Sequence, residues 1–287
     1  VQSYGRSKTA FQPIPSKAPN KPMALPMDPL EAYRDYTERV LRLMIWYVWY
    51  LSKRANPQPI RVLLETRADV ISRTTLYDGR HPVPLGDDGP IGLDPPIPEW
   101  EHLKAELEER IASYDSPDTA PLEDACWSLI EPYVTPTLHA ESEPEHPYGG
   151  WRYDVLEEYP SIISLHFNNT HQPDSPFHEH RPALVADLLR LIEEAVATHP
   201  AVTGVLCVSW LNQYEAFVSL FPAAWRASFE PVTKYLANDG WWAQYMDRRG
   251  AFHKARGQVF RRTGAHPYSS GVCQCQISEV VDHLLQF

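Results

Sequence analysis

The sequence predicts a mixed, helix-rich α/β fold whose central sheet contains a parallel βαβ unit at about residues 161–211. Two short apolar runs, "SIISLHF" (Ser161–Phe167) and "VTGVLCVSWL" (Val202–Leu211), have the length and composition of strands. The second run is nearly all apolar, which is typical of a strand buried on both faces. Between them, Arg181–Pro200 repeats apolar residues at helical spacing. Strand, helix and strand in this order favour two parallel strands. The inward-facing residues predicted for the helix are Leu184, Leu188, Leu191, Ile192 and Val196.

The first half of the chain carries helical patterns. Asp28 before Pro29 is good N-cap and N1 chemistry, and a helix is expected from there to about Arg54. Further helices are predicted at Pro98–Tyr114 and Pro121–Val134, whereas Ile60–Thr66 fits either a strand or a helix. The predicted organisation is an extended proline-rich arm (1–29), a helical part (30–140) and an α/β part (150–287). One continuous domain over 30–287 is the alternative.

Composition excludes some classes of protein. The formal net charge is −11, which argues against a nucleic acid or a membrane surface as the partner. The most apolar stretch, Leu41–Leu51, is far shorter than the roughly 20 residues of a membrane-spanning helix. Four scattered cysteines do not make a disulfide framework, and no apolar leader is visible at the start. The expectation is a soluble, globular, cytoplasmic protein that takes a small-molecule substrate.

A histidine-rich stretch, "SLHFNNTHQPDSPFHEH", follows the first predicted strand. Ligands of parallel α/β sheets bind outside the carboxyl ends of the strands, so this stretch lies where a site is expected. We predict His166, His171 and Asp174 as catalytic residues, with a histidine as general base and Asp174 orienting it. Asn168 and Asn212, at the two strand ends, are predicted to bind substrate.

The same stretch allows a metal site. His166, His171, His178 and His180 are the alternative ligands of a divalent metal, joined by Glu141 or His139 from the polar run "LHAESEPEH". No spacing such as H-E-x-x-H supports this hypothesis. A solvated polar loop remains a third interpretation.

A basic segment, "DRRGAFHKARGQVFRRTG" (Asp247–Gly264), stands out in an acidic protein, with six Lys or Arg residues against one acid. Such a contrast favours a small anion as ligand. Arg249, Arg261 and Arg262 are the predicted anion-binding residues, because a guanidinium can hold a carboxylate or phosphate through two hydrogen bonds. Helix breaks are expected at Gly240, Gly250 and Gly257.

Residues 161–221 resemble part of a known family. "SLHF", a helix and then "CVSWLN" are similar in order to the sheet region of GNAT-type acyltransferases. That resemblance implies acyl transfer from an acyl-thioester donor, with the strand-end loops forming the acceptor site. "RRTGAH" (Arg261–His266) approaches the family's pyrophosphate-binding turn, but His266 stands where a small residue is wanted.

Three functions follow from these patterns. The first is an enzyme acting on a small anionic or acyl-bearing substrate, with a histidine as general base. The second is a metal-dependent enzyme that uses histidine and carboxylate ligands. The third is a non-catalytic protein that binds a partner through its proline-rich arm and aromatic surface.

Overall fold

The computed structural model describes residues 28–80, 82–84, 91–134, 147–156, 158–232 and 239–287. The predicted arm (1–29) lies outside this description except at Asp28 and Pro29, and His139 and Glu141 lie outside it altogether. No helix within the described ranges is both long enough and apolar enough to cross a membrane.

The fold is mixed α/β and rich in helix, as predicted. The α-helices are α1 (Pro29–Ser52), α2 (Ile60–Thr66), α3 (Pro98–Ala112), α4 (Ala120–Ile130), α5 (Arg181–Thr198), α6 (Glu215–Val218), α7 (Ala223–Ala227), α8 (Asp239–Trp242), α9 (Lys254–Thr263) and α10 (Ile277–Leu284). The strands are β1 (Val83–Pro84), β2 (Ile91–Gly92), β3 (Trp151–Leu156), β4 (Tyr159–Phe167), β5 (Gly204–Ser209), β6 (Glu230–Pro231) and β7 (Gly271–Gln276).

Local chemistry explains several helix ends. The Asp28 side chain accepts a hydrogen bond from the backbone N–H of Leu30, which confirms the predicted N-cap of α1. Ile60–Thr66 is helical, which settles the ambiguity of that run. Helix α4 ends at Ile130, four residues before the predicted end, and continues as a 3-10 turn that contains Pro132. Proline lacks the N–H that an α-helix needs, so the α-helix stops there.

Five strands form the main sheet, in the order β3-β4-β5-β7-β6. Strands β4 and β5 run parallel, with Ile162 opposite Gly204, and α5 connects them. The predicted βαβ unit is therefore confirmed. Its neighbours β3 and β7 pair antiparallel, and so does β6 at the edge. Because β4 and β5 are parallel and in register, Phe167 and Ser209 end them at the same edge of the sheet.

The structure holds two hydrophobic cores. One consists of residues of α1 to α4 together with Trp242 of α8 and Phe260 of α9. The other lies between one face of the sheet and α5 and α10. The helical core thus reaches across the predicted boundary at 140–150 and takes in residues from the last fifty positions. Trp210, directly after β5, packs against both cores.

The prediction that β5 is buried on both faces is wrong toward the end of the strand. Val205 and Cys207 are buried on the face toward α5, whereas Val208 on the opposite face is 48% exposed. Val196 of α5 is also exposed, although the helical pattern predicted it to face inward. The predicted break at Gly257 is wrong too. Gly257 lies inside α9, where an added Cβ would come within 2.6 Å of the Phe252 ring.

Candidate functional site

A cavity of about 650 Å³ opens at the edge of the sheet where β4 and β5 end. Its walls come from three segments: residues 167–178 after β4, residues 209–214 after β5, and residues 240–256 before and within α9. The first two segments belong to the sheet half and the third to the helical half. The cavity therefore lies between the two cores, at the edge where parallel α/β sheets bind ligands.

One wall of the cavity is aromatic. The Phe177 ring lies 5.2 Å from the Phe167 ring and 5.7 Å from the Tyr214 ring, measured between centroids. The Trp210 ring lies 6.4 Å from that of Tyr214. These distances are within the range of favourable aromatic pairs, so the four rings form one continuous surface. All four residues line the cavity.

A second part of the lining is cationic. Arg248, Arg249 and Arg256 line the cavity, and Asp247 is the carboxylate that lines it with them. The Asp247 Oδ1 atom accepts the backbone N–H groups of Arg249 and Ala251, at 2.8 and 3.1 Å, and so shapes the turn before α9. Arg248 has a long ion pair of 3.9 Å with Glu179. This wall carries an excess of positive charge in a protein whose net charge is −11.

Arg256 is the best-placed cation. Its side chain is half-buried, and Nη1 donates to the carbonyl oxygen of Gln244 at 2.7 Å. Its guanidinium carbon lies 5.7 Å from the Trp210 ring centroid and 5.4 Å from that of Tyr268, within cation–π range. Among the described residues it has no carboxylate partner. The remaining guanidinium donors are therefore available to a ligand.

His253 lines the cavity and is the N-cap residue of α9. Its Nδ1 accepts the backbone N–H of Arg256 at 3.4 Å, so the neutral ring carries its proton on Nε2. Partial burial lowers the pKa of His253, and the charge of Arg256 lowers it further. A neutral His253 in this tautomer donates a hydrogen bond through Nε2 and does not accept a proton there.

His178 also lines the cavity, from the loop before α5. Its side chain is exposed, and neither ring nitrogen has a hydrogen-bond partner within the described ranges. A ring nitrogen of His178 is therefore available to accept a proton from a bound molecule. In His253 the Nδ1 atom is not available, because it caps α9.

His166 faces away from the cavity. Alternation along β4 puts Leu165 and Phe167 toward α5 and His166 on the open face, as the sequence predicted for these faces. There the Nε2 atom of His166 lies 2.7 Å from the Asp154 carboxylate. Burial lowers the pKa of His166, and Asp154 opposes that effect. Asn168, past the strand end, does line the cavity. His166 therefore lies apart from His171 and Asp174, with which it was predicted to form a catalytic group.

His171, Asp174 and His180 lie together beside the cavity. The two imidazole rings stack at 4.1 Å with an angle of 5° between their planes. His180 Nε2 lies 3.3 Å from the Asp174 carboxylate. A metal must lie in the plane of each ring that binds it, so stacked parallel rings cannot share one ion. Among the described residues no group of three or more His, Cys, Asp or Glu side chains is placed to hold a metal.

Asn212 is buried beside the end of β5 and does not line the cavity. It is 4% exposed, and its Nδ2 donates to the carbonyl oxygens of Cys207 and Gly271, both at 2.8 Å. Its Oδ1 accepts the indole N–H of Trp225 at 3.1 Å. These bonds tie the end of β5 to β7 and α7, and they use the amide donors and acceptor that a substrate would need.

Arg261 and Arg262 also lie outside the cavity. Arg261 makes two 2.7 Å bonds to the buried Glu123 carboxylate of α4, so it joins α9 to the helical core. Arg262 is exposed on α9. Gly264 of the "RRTGAH" turn has a φ of +66° and ends α9, with Tyr50 packed against it. Glycine at this position has a structural explanation, since α9 needs a left-handed residue to end it.

The histidine-rich stretch and the basic segment both contribute residues to the cavity, but the residues predicted from the sequence do not include Arg256, His253 or, as a proton acceptor, His178. Arg256 and Arg261 are five residues apart, so on a helix of about 3.6 residues per turn they point roughly 140° apart. The helical periodicity of α9 could have indicated Arg256, because Gly257 and Phe260 lie on the buried side of this helix. His178 was proposed only as a metal ligand.

The comparisons with protein-family models, curated proteins and solved structures give no significant match to this chain.

Proposed function

We propose that this protein is an enzyme acting on a small anionic or acyl-bearing substrate in the cavity between its two cores. The observation that carries the proposal is Arg256, a half-buried cation at the cavity wall with no carboxylate partner among the described residues. A guanidinium in such a position binds a carboxylate or phosphate more strongly than a fully solvated one, because water competes less.

The two cavity histidines have different roles in this proposal. His253 donates its Nε2–H to the anion beside Arg256 and keeps α9 capped through Nδ1. His178 takes a proton from the attacking hydroxyl or amine of the acceptor. In acyl transfer the acceptor oxygen or nitrogen then bonds to the acyl carbon, the carbon–sulfur bond of a thioester donor breaks, and the thiolate leaves and is protonated by solvent.

A binding screen combined with an activity screen tests the proposal. The protein is titrated with inorganic phosphate, simple carboxylates and acyl-thioesters, and thiol release from the thioesters is followed. We expect at least one anion to bind, and we expect Arg256→Ala to weaken it tenfold or more. His178→Gln should reduce thiol release with little change in affinity. Arg262→Ala, on the same helix and outside the cavity, is the matched control.

The proposal fails if no anion binds, or if Arg262→Ala weakens binding as much as Arg256→Ala does. Anion binding without any turnover of a thioester would leave a binding protein and remove the enzymatic part.

A further inference from the structure

We propose that the ligand of this cavity is an aromatic anion, with its charged group at Arg256 and a flat ring body against the aromatic wall of Phe167, Phe177, Trp210 and Tyr214. This inference rests on the proposed function, since it uses the same cavity. It adds the chemical class of the molecule and the direction in which it lies.

The size of the cavity is the first reason. At roughly 30 Å³ of liquid volume per water molecule, about 650 Å³ corresponds to about 20 waters. A bare phosphate or acetate would occupy a small part of that space and leave the rest hydrated. Cavities of this size in other proteins hold organic molecules and bury most of their surface.

The second reason is the division of the walls. The rings of residues 167–177 and 210–214 lie on the sheet side, and the arginines of residues 248–256 lie on the helical side. Trp210 and Tyr214 are only half-buried, so part of each ring faces the cavity. Covering that surface with a flat apolar body releases water and adds ring–ring contact, neither of which a small hydrated ion provides.

The third reason is that the charge and the rings meet at one point. The Arg256 guanidinium lies within 6 Å of both the Trp210 and Tyr268 ring centroids. An anion bound to its free donors is therefore already beside the aromatic wall. A ligand fits both features when its carboxylate or phosphate is attached to the ring directly or through one or two bonds.

The charge balance points to one or two negative charges. Arg248 is already 3.9 Å from Glu179, which leaves Arg249 and Arg256 as the lining cations without a carboxylate partner among the described residues, and Asp247 in the same wall offsets part of their charge. A polyphosphate would exceed what these two groups neutralise. Aryl carboxylates and aryl monophosphates share the required chemistry, and the experiment separates them.

Isothermal titration calorimetry with matched ligands tests the inference. The probes are benzoate, phenylacetate and phenyl phosphate, compared with acetate and inorganic phosphate, and with benzyl alcohol as the uncharged ring. We expect each aryl anion to bind at least tenfold more tightly than its ring-free counterpart, and benzyl alcohol at least tenfold more weakly than phenylacetate. The stronger of the carboxylate and phosphate series identifies the charged group.

Two variants localise the effect. Tyr214→Leu should reduce the preference for aryl anions at least threefold and leave acetate or phosphate affinity unchanged. If Tyr214→Leu is unstable, Trp210→Phe takes its place. This variant keeps a ring between the two cores. Tyr159→Leu is the control, since this tyrosine is 58% exposed at the opposite end of β4.

The outcomes separate this inference from the proposed function. Equal binding of aryl and ring-free anions overturns the inference and leaves an anion site. Equal binding of phenylacetate and benzyl alcohol overturns the placement of the charge at Arg256. No binding of any probe overturns both.

Discussion

Charged side chains of the helical core and those of the cavity wall differ in their partners. In the helical core, Lys104 is 2% exposed and contacts Glu65, and Arg261 binds Glu123 through two hydrogen bonds. In the cavity wall, Arg256 has ring and carbonyl contacts but no carboxylate among the described residues. The first set holds helices together, whereas Arg256 keeps guanidinium donors available to a ligand. The partner of each cation, and not its charge, therefore distinguishes those that hold helices together from one whose donors are available to a ligand.

The largest expected effect comes from breaking the most deeply buried pair. Lys104→Ala leaves the Glu65 carboxylate buried without its cation, because Glu65 is only 3% exposed. We expect the free energy of unfolding to fall by about 3 kcal/mol or more, which urea denaturation measures. Lys254→Ala, at an exposed lysine of α9, should change it by less than about 0.5 kcal/mol. Equal losses in both variants would contradict the structural role of Lys104.

Arg261→Ala should be the next most disruptive. It removes two charge-assisted bonds to Glu123, although the Thr119 hydroxyl still donates to that carboxylate. Because Arg261 is partly exposed, water can reach the vacated position, and we expect a loss of about 2 kcal/mol in unfolding free energy. Anion affinity should stay unchanged in the folded variant. Lost affinity with unchanged stability would return Arg261 to the binding site that the sequence predicted.

The sequence predicted the sheet better than the site. Apolar periodicity located β4, α5 and β5, because a buried strand and a buried helix face impose patterns on neighbouring residues. It also pointed to the edge of the sheet at which the cavity lies. It could not place Arg261, because Glu123 is 138 residues away in the chain. It could not reveal the open face of β5 either, since exposure of Val208 depends on what packs on the sheet.

The sequence could not separate the surroundings of the predicted histidines for a similar reason. Four histidines between 166 and 180 are neighbours in sequence, but strand alternation turns His166 to the open face. The tight loop stacks His171 on His180, and the cavity is left with His178. The density of histidine along the chain therefore indicated the loop but not which of its histidines lines the cavity.

The helical core also contains a titratable ring, that of His266. His266 lies among the rings of the helical core, 2.9 Å from the Tyr245 hydroxyl, and burial lowers the pKa of His266 to about 3. The unfolded chain has the ordinary value near 6.5, so it binds more protons than the folded chain below that pH. The contribution of His266 to stability should be constant above about pH 7 and should fall on acidification, by up to about 1.4 kcal/mol per pH unit between its unfolded and folded pKa values.

His266→Asn should flatten that acid dependence, since asparagine keeps an acceptor for Tyr245 and does not titrate. His102→Asn is the control, because the His102 side chain is 75% exposed. Urea denaturation at pH 7.5, 6.5 and 5.5 measures the slope. An unchanged slope in His266→Asn would show that other groups dominate acid unfolding.

Arg256→Ala should have the smallest effect on stability and the largest on ligand binding. Its removal leaves no buried carboxylate unpaired among the described residues, and the backbone N–H of residue 256 still donates to His253. We expect the free energy of unfolding to fall by about 1 kcal/mol, because the bond to the Gln244 carbonyl and the two ring contacts are lost. Anion affinity should fall tenfold or more in calorimetry. A cation that costs little to remove yet governs affinity is what separates the cavity wall from the helical core, and a loss of stability like that of Arg261→Ala would erase the distinction.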